Sequence, residues 1–141
     1  MNIVNLFEKI FSRYSSEYQK NNKTSNPFFA EIKKEIEFVF KNICEKYDLT
    51  IKPLGGQGAA CKEPYIVFLA EGHKTSKGIY PAFHFDLENK KLFLSIGYSY
   101  QNPIPDELTD DLKSFLQEKG LEVSDNDTDF ILREFEANNL N

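Results

Sequence analysis

Tryptophan is absent from this chain of 141 residues, methionine occurs once and cysteine only twice. Cys44 and Cys61 do not form a CxxC pair, so we expect two reduced thiols rather than a disulfide or a zinc site. No run of about 18 apolar residues exists, and no transmembrane helix is therefore expected. The first twenty residues also lack the basic start and continuous apolar centre of a signal peptide. These absences predict a cytoplasmic protein.

Positive charge is in short supply: 17 Lys and Arg residues stand against 22 Asp and Glu residues, for a net charge of −5. This balance argues mildly against nonspecific nucleic-acid binding. The acidic excess lies in the flanks, however, because residues 50–100 contain six lysines and only four acidic residues. Aromatic residues are plentiful, with 13 Phe and 7 Tyr, and they can fill the core of one domain covering residues 1–141.

The spacing of apolar residues divides the chain into helices and strands. A period of 3.6 predicts helices, with Ser25 or Asn26 as the cap of the second, whereas alternation predicts strands. The predicted helices cover residues 1–20, 27–47, 105–120 and 128–139, and the predicted strands cover 49–54, 64–70, 78–86 and 91–100. This order predicts an α+β fold, with a mostly antiparallel four-to-five-stranded sheet flanked by N- and C-terminal helices.

Alternation within the strands predicts which side chains share a face. In the third strand Phe83 and Phe85 point to the core, and Tyr80 and His84 point the opposite way. In the second strand Tyr65 shares a face with Val67 and Leu69. We therefore expect Tyr65, Tyr80 and His84 to meet in one cavity, although strand tyrosines often only pack. Pro81 predicts that the third strand is an edge strand or carries a bulge.

The stretch GGQGAACKEPYIVFL, residues 55–69, resembles a phosphate-binding loop only superficially. In a Walker motif counted from Gly56, Cys61 stands in place of the second glycine and Glu63 in place of the Ser or Thr. A strand rather than a helix follows, so the helix N-terminus that would bind phosphate is missing. Two interpretations remain: a turn that needs glycine for its backbone, or a loop whose backbone approaches an extended ligand such as DNA.

Four segments together carry a family resemblance: GGQG, EPYIVFLAEG, TSKGIYPAFHFD and LFLSIGYS. In this order and spacing they are similar to the N-terminal DNA-binding domain of McrB-type, modification-dependent restriction proteins. The similarity covers about residues 54–99, and the flanking helices agree only in general pattern. It implies a module, without catalysis or cofactor of its own, that flips a modified cytosine out of double-stranded DNA. It also implies an AAA+ GTPase motor and a nuclease subunit as partners.

The resemblance assigns roles to residues of this chain. The base pocket is expected to comprise Tyr65, Tyr80 and His84. The family commonly has Trp in place of Tyr65 and an aliphatic side chain in place of His84. The change at His84 leaves the identity of the modified base open, because a histidine could suit hydroxymethylcytosine, a different base or a tighter cavity. It also leaves open whether His84 binds the base or only packs. The residues expected to contact DNA are Gly56, Gln57, Gly58, Lys62, Lys74 and Lys77.

Two other functions stay open from the sequence. One is a protein-interaction module of a phage-defence system that has lost base flipping, which the acidic flanks favour. The other is a small hydrolase using His84 with Asp86 or Tyr80, although no Ser or Cys nucleophile is placed beside them. No cluster of metal-ligating residues of the nuclease type stands out, because Glu71, Asp86 and Glu88 lack a following E-x-K arrangement. We therefore expect no metal site.

Overall fold

The computed structural model describes residues 2–56, 58–74, 78–98, 106–120, 124–125 and 129–140. Within these ranges none of the helices is long and apolar enough to cross a membrane. The helices are α1 (Ile3–Lys20), α2 (Pro27–Val39), α3 (Lys41–Tyr47) and α4 (Asp106–Glu118). The strands are β1 (Thr50–Pro53), β2 (Tyr65–Leu69), β3 (Ile79–Asp86), β4 (Lys91–Tyr98), β5 (Ser124–Asp125) and β6 (Asp129–Glu136).

Helices α1 and α2 both begin at asparagine caps. The Asn26 side chain accepts a hydrogen bond of 3.0 Å from the backbone N–H of Phe28, and Asn2 caps α1 in the same way. Each cap satisfies an N–H that has no partner within the first helical turn. Pro27 occupies the first turn of α2 as predicted, and Asn26 rather than Ser25 is the cap.

The segment predicted as one long second helix forms two helices. Helix α2 ends before Phe40 and α3 begins after it, with Phe40 at φ −97° and ψ 6°. The Phe40 ring is buried and packs against Phe68 of β2, with the ring centroids 5.1 Å apart. Helix α3 ends at Asp48, which adopts the left-handed conformation with φ 54°. The division of the helix therefore coincides with a side chain that is anchored in the core.

Helices α1 and α2 cover one face of the sheet with an aromatic core. The Phe7 ring of α1 meets Phe83 and Phe85 of β3 edge-on, with centroid distances of 5.2 and 5.0 Å. Ile32 of α2 and Ile66 of β2 are fully buried in the same cluster. Each buried aromatic or aliphatic side chain contributes about 1.5–3 kcal/mol relative to exposure. The predicted core positions Phe83 and Phe85 are confirmed.

The sheet is antiparallel in every pairing, with the strand order β1-β2-β3-β4-β6-β5. The predicted α+β class is confirmed, and the short strand β5 with β6 completes six strands within the described ranges. The prediction that Pro81 marks an edge strand is wrong, because β3 lies between β2 and β4. The β2–β3 pairing ends at Ala82, however, so Pro81 lies beyond it, where a missing N–H is tolerated.

The prediction of a fourth helix over residues 128–139 is wrong, since residues 129–136 form β6. This strand pairs with β4 along its length, and Lys91 makes a 2.8 Å ion pair with Glu134. The register shifts between Leu94 and Ser95, so Leu132 is an extra residue in β6. Such a bulge interrupts strict alternation. The alternating pattern of β6 could therefore not be recognised in the sequence. Pairing with the edge of β4 makes this segment a strand.

Candidate functional site

Strands β2, β3 and β4 present a second face on the side away from α1 and α2. Directly paired residues of neighbouring strands point to the same side. The second face consists of Tyr65, Val67 and Leu69 of β2, Tyr80, Ala82 and His84 of β3, and Phe93, Ser95 and Gly97 of β4. Val67, Leu69 and Ala82 form a buried cluster there with Tyr65 and Tyr80, separate from the helix-side core. The predicted alternation of β2 and β3 is confirmed.

Tyr65 and His84 lie side by side at one end of this second face. They are register partners, and their ring centroids are 6.1 Å apart with the planes at 43°. The Tyr65 ring also covers Gly55, where a Cβ would overlap the ring and lie 2.6 Å from the Cys61 Sγ. Burial, with a smaller contribution from Cys61, raises the pKa of the Tyr65 phenol. Tyr65 is therefore a neutral ring near pH 7, suited to stacking and to hydrogen bonding.

Tyr80 lies four residues from His84 on the same strand, which places their Cα atoms about 13 Å apart. Its ring lies over Gly97 of β4, its register partner, and a Cβ at Gly97 would overlap the ring. Because position 97 is glycine, the Tyr80 ring can pack directly against β4. The structure thus places all three predicted pocket residues on one face, with Tyr65 and His84 at one end and Tyr80 at the other.

Small residues form the floor between these two ends. Ala82 and Ser95 are paired across β3 and β4, and both are fully buried. Their same-face neighbours Tyr80, His84 and Phe93 are half-buried. Ala82 and Ser95, which form the floor, are therefore not accessible to solvent in this conformation. The Ser95 Oγ is buried and has no hydrogen-bond partner among the described residues, which is an unusual and costly state for a hydroxyl.

The glycine loop, residues 55–61, is fastened to the connection between α1 and α2. The Ala60 N–H donates to the Asn22 carbonyl at 2.6 Å, and the Thr24 N–H donates to the Gly58 carbonyl at 3.3 Å. From within α1, the buried Tyr14 hydroxyl donates to the Cys61 carbonyl at 2.6 Å. These bonds satisfy loop backbone groups that no strand partner reaches.

Two glycines of this loop have positive φ, 101° at Gly56 and 75° at Gly58. At Gly56 a Cβ would overlap the Ala59 carbonyl oxygen, whereas at Gly58 it would meet nothing within 4 Å. Gly56 is therefore required by the shape of the loop. The Gly58 carbonyl is bonded to Thr24, and the side of Gly58 on which a Cβ would stand faces open space. Gln57, expected at the tip of the loop, lies outside the described residues.

The expected DNA-contacting lysines do not gather at one point. Lys62 is exposed just before β2, beside the Tyr65 end of the second face, and Lys74 is exposed after β2, toward the Tyr80 end. The five residues of β2 separate the two positions by more than about 13 Å. Lys77 lies outside the described residues. The two described lysines therefore flank the second face from opposite ends.

Three concave surfaces lined by described residues lie elsewhere on the molecule. One is a groove of about 490 Å³ beside the 87–90 turn. The second is an apolar pocket of about 170 Å³ under the start of α1, and the third is a groove of about 650 Å³ along α2 and α3. Tyr65, Tyr80 and His84 line none of the three. In the described part of the chain, no group of three or more His, Cys, Asp or Glu residues is arranged to hold a metal ion.

Cysteine chemistry has little support at this site. Burial raises the pKa of both thiols, Cys44 and Cys61. A raised pKa keeps the thiol protonated near neutral pH, and the protonated form is a poor nucleophile. The Cys61 Sγ lies close to the space that a Gly55 Cβ would occupy, and the Tyr65 ring borders the same space. Cys61 is therefore a packing residue.

Sequence reasoning missed three members of the second face, Phe93, Ser95 and Gly97. They lie at alternate positions of β4, and the small residues Ser95 and Gly97 are the sequence signal that something large lies over them. Their position relative to Tyr80 and Ala82 follows only from the β3–β4 register.

Comparison of the whole chain with protein-family models and with curated proteins finds no match.

Proposed function

We propose that this protein binds double-stranded DNA containing a methylated or hydroxymethylated cytosine, and that it accepts the flipped base on the second face of the sheet. The observation that carries the proposal is the arrangement of rings on that face. Tyr65 and His84 stand at one end and Tyr80 at the other, with the small residues Ala82 and Ser95 between them. The Cα atoms of Tyr80 and His84 are about 13 Å apart along β3, and because Ala82 and Ser95 are covered, the base enters only when the rings above them move aside.

The energetics favour stacking as the main source of affinity for the base. Flipping costs a few kcal/mol of unpairing and unstacking, and stacking on an aromatic ring returns about 1–3 kcal/mol. The apolar contribution of one methyl group is about 0.8 kcal/mol. Discrimination between modified and unmodified cytosine therefore needs polar contacts and shape exclusion in addition to methyl burial.

Electrostatics limits the affinity of a single copy. Lys62 and Lys74 supply positive charge at the two ends of the face, but acidic residues Glu63 and Glu71 lie near them in sequence. Few phosphate contacts produce a shallow dependence of affinity on salt. Tight binding then requires several copies acting together. The McrB-type resemblance supplies such a setting: a cytoplasmic restriction system for phage defence, in which an AAA+ GTPase motor assembles the copies and a nuclease subunit cuts.

Duplexes that differ only at one cytosine test the proposal. Fluorescence anisotropy compares unmodified cytosine, methylcytosine, hydroxymethylcytosine and, as a further control, methyladenine. We expect a modified cytosine to bind several-fold better than the unmodified base. Tyr80→Ala should abolish that preference, because the flipped base loses stacking worth about 5- to 150-fold and the duplexes are then bound without flipping. Tyr47→Ala is the matched control, since Tyr47 is 59% exposed on α3, away from the second face. Equal binding of the wild-type protein to all four duplexes would refute the proposal.

The competing function, a protein-interaction module without base flipping, is favoured by one observation. Phe38, Ile43 and Tyr47 expose apolar surface on α2 and α3, and Phe38 is 71% exposed. Exposed apolar surface of this kind often marks an interaction site. A 2-aminopurine placed beside the target base separates the two functions, because it fluoresces more strongly when unstacked. A rise on binding supports flipping, and a constant signal with bound protein supports the competing function.

A further inference from the structure

Ser95 is the one buried polar side chain of the second face with no hydrogen-bond partner among the described residues. It is 0% exposed, and its Oγ lies on the same side of the sheet as Ala82, its register partner. Along β4 its same-face neighbours are Phe93 and Gly97, and Gly97 lies under the Tyr80 ring. The hydroxyl is thus located at the floor between the Tyr80 end and the Tyr65–His84 end.

An unpaired buried hydroxyl is costly to the folded protein. Leaving a buried donor or acceptor unsatisfied incurs its full desolvation penalty, whereas alanine at the same place incurs none. The packing of the floor does not explain the serine, because Ala82 fills the neighbouring position without a polar atom. A buried group of this kind calls for an explanation, and a ligand that supplies the missing partner is one.

We propose that Ser95 is a specificity-determining residue that reads the substituent at C5 of the flipped base and favours hydroxymethylcytosine over methylcytosine. This inference rests on the proposed function of the second face. A base entering edge-first between the rings presents one edge to the floor. When that edge carries a hydroxymethyl group, the Ser95 hydroxyl gains the hydrogen-bond partner that it lacks. A methyl group in the same place leaves it unpaired, as in the free protein, so hydroxymethylcytosine gains one hydrogen bond that methylcytosine lacks.

The proposal requires the floor to become accessible. Ala82 and Ser95 are covered in the described conformation, so the flanking rings must turn outward as the base arrives. Tyr80 and His84 flank Ala82 on β3. The inference therefore includes an outward rotation of these rings on binding, which is a side-chain change and leaves the pairing of the strands as it is.

The experiment compares the wild-type protein with Ser95→Ala and Ser95→Cys, which keeps the volume but is a weaker hydrogen-bonding group. Binding to duplexes with cytosine, methylcytosine and hydroxymethylcytosine is measured together with 2-aminopurine fluorescence and thermal unfolding. We expect the wild-type protein to prefer hydroxymethylcytosine over methylcytosine by about 2- to 10-fold, the effect of one net hydrogen bond. Ser95→Ala is expected to lose that ratio while raising the melting temperature, and Ser95→Cys to fall between.

Five outcomes test this inference and the function on which it rests. Loss of the ratio in Ser95→Ala, with the fluorescence rise preserved, supports the inference. An unchanged ratio with preserved flipping overturns the role of Ser95 and leaves the proposed function standing. An equal loss for all three duplexes also overturns it, since Ser95 then contacts an edge common to every cytosine. Absence of flipping and of any preference in the wild-type protein overturns both. A lower melting temperature in Ser95→Ala indicates a structural role and counts against the inference.

Discussion

Replacing Gly97 with alanine tests whether the Tyr80 ring lies flat on β4. Gly97 does not have a positive φ, so alanine meets no backbone strain there. Its Cβ would overlap the ring of Tyr80, and the three atoms closest to that Cβ all belong to this ring. The substitution therefore displaces one side chain, and a change in the backbone of the sheet is not required.

The expected magnitude follows from two opposing effects. Overpacking a buried position costs about 1–3 kcal/mol, whereas removing a glycine from a strand returns about 0.5–1 kcal/mol. Gly97→Ala alone should therefore lower the free energy of unfolding by up to about 2.5 kcal/mol. In a Tyr80→Ala background the overlap no longer exists, and the same change should be neutral or stabilising.

Urea denaturation of the four proteins in this double-mutant cycle provides the measurement. We expect a coupling free energy of about 1–3 kcal/mol between positions 80 and 97. Gly58→Ala serves as the control, because its φ of 75° imposes a backbone cost but no atom lies within 4 Å of its Cβ. Its effect should be the same with and without Tyr80. Additive effects of Gly97→Ala and Tyr80→Ala would show that the ring does not rest on Gly97.

Two further predictions concern the surroundings of the site. Tyr14→Phe removes the hydrogen bond to the Cys61 carbonyl and should lower the free energy of unfolding by about 0.5–1.5 kcal/mol in urea denaturation; an unchanged midpoint contradicts the anchoring of the loop. The Asp86 pKa is lowered by hydrogen bonds from the Asn89 side chain and backbone N–H, so its stabilising contribution is present above the ordinary Asp pKa and is lost as pH falls through the lowered value. Asp86→Asn should therefore flatten the acid limb of a stability–pH profile, and an unaltered acid limb refutes this.

The local spacing of apolar residues was sufficient to predict the helix-side core and the two faces of β2 and β3. The helical stripe of α1 and the alternation around Phe83 and Phe85 each depend on residues close in sequence, which is the range over which periodicity is informative. For the same reason Tyr80 and His84 could be assigned to one face of β3, and Tyr65 to the face of Val67 and Leu69 on β2, whereas the β2–β3 register puts the two sets on the same side. Their function as a base pocket stays a prediction.

Features that depend on distant contacts could not be predicted in the same way. The extra residue Leu132 interrupts the alternation of β6, and only pairing with β4 reveals it as a strand. The division between α2 and α3 follows from the anchoring of Phe40 against Phe68, which lies 28 positions further along the chain. Ser95 belongs to the candidate site solely through its register with Ala82.

The fastening of the glycine loop has a consequence for its local unfolding. Ala60 is bonded to Asn22 of the α1–α2 connection, and Cys61 is bonded to Tyr14 of α1. The isolated Lys23–Ala59 bridge also joins the loop to that connection. Amide protons held by such bonds exchange with solvent only when their partners also open. The loop and the α1–α2 connection should accordingly open as one cooperative unit. A change that stabilises or destabilises the helices should therefore alter the rate of hydrogen exchange in the loop.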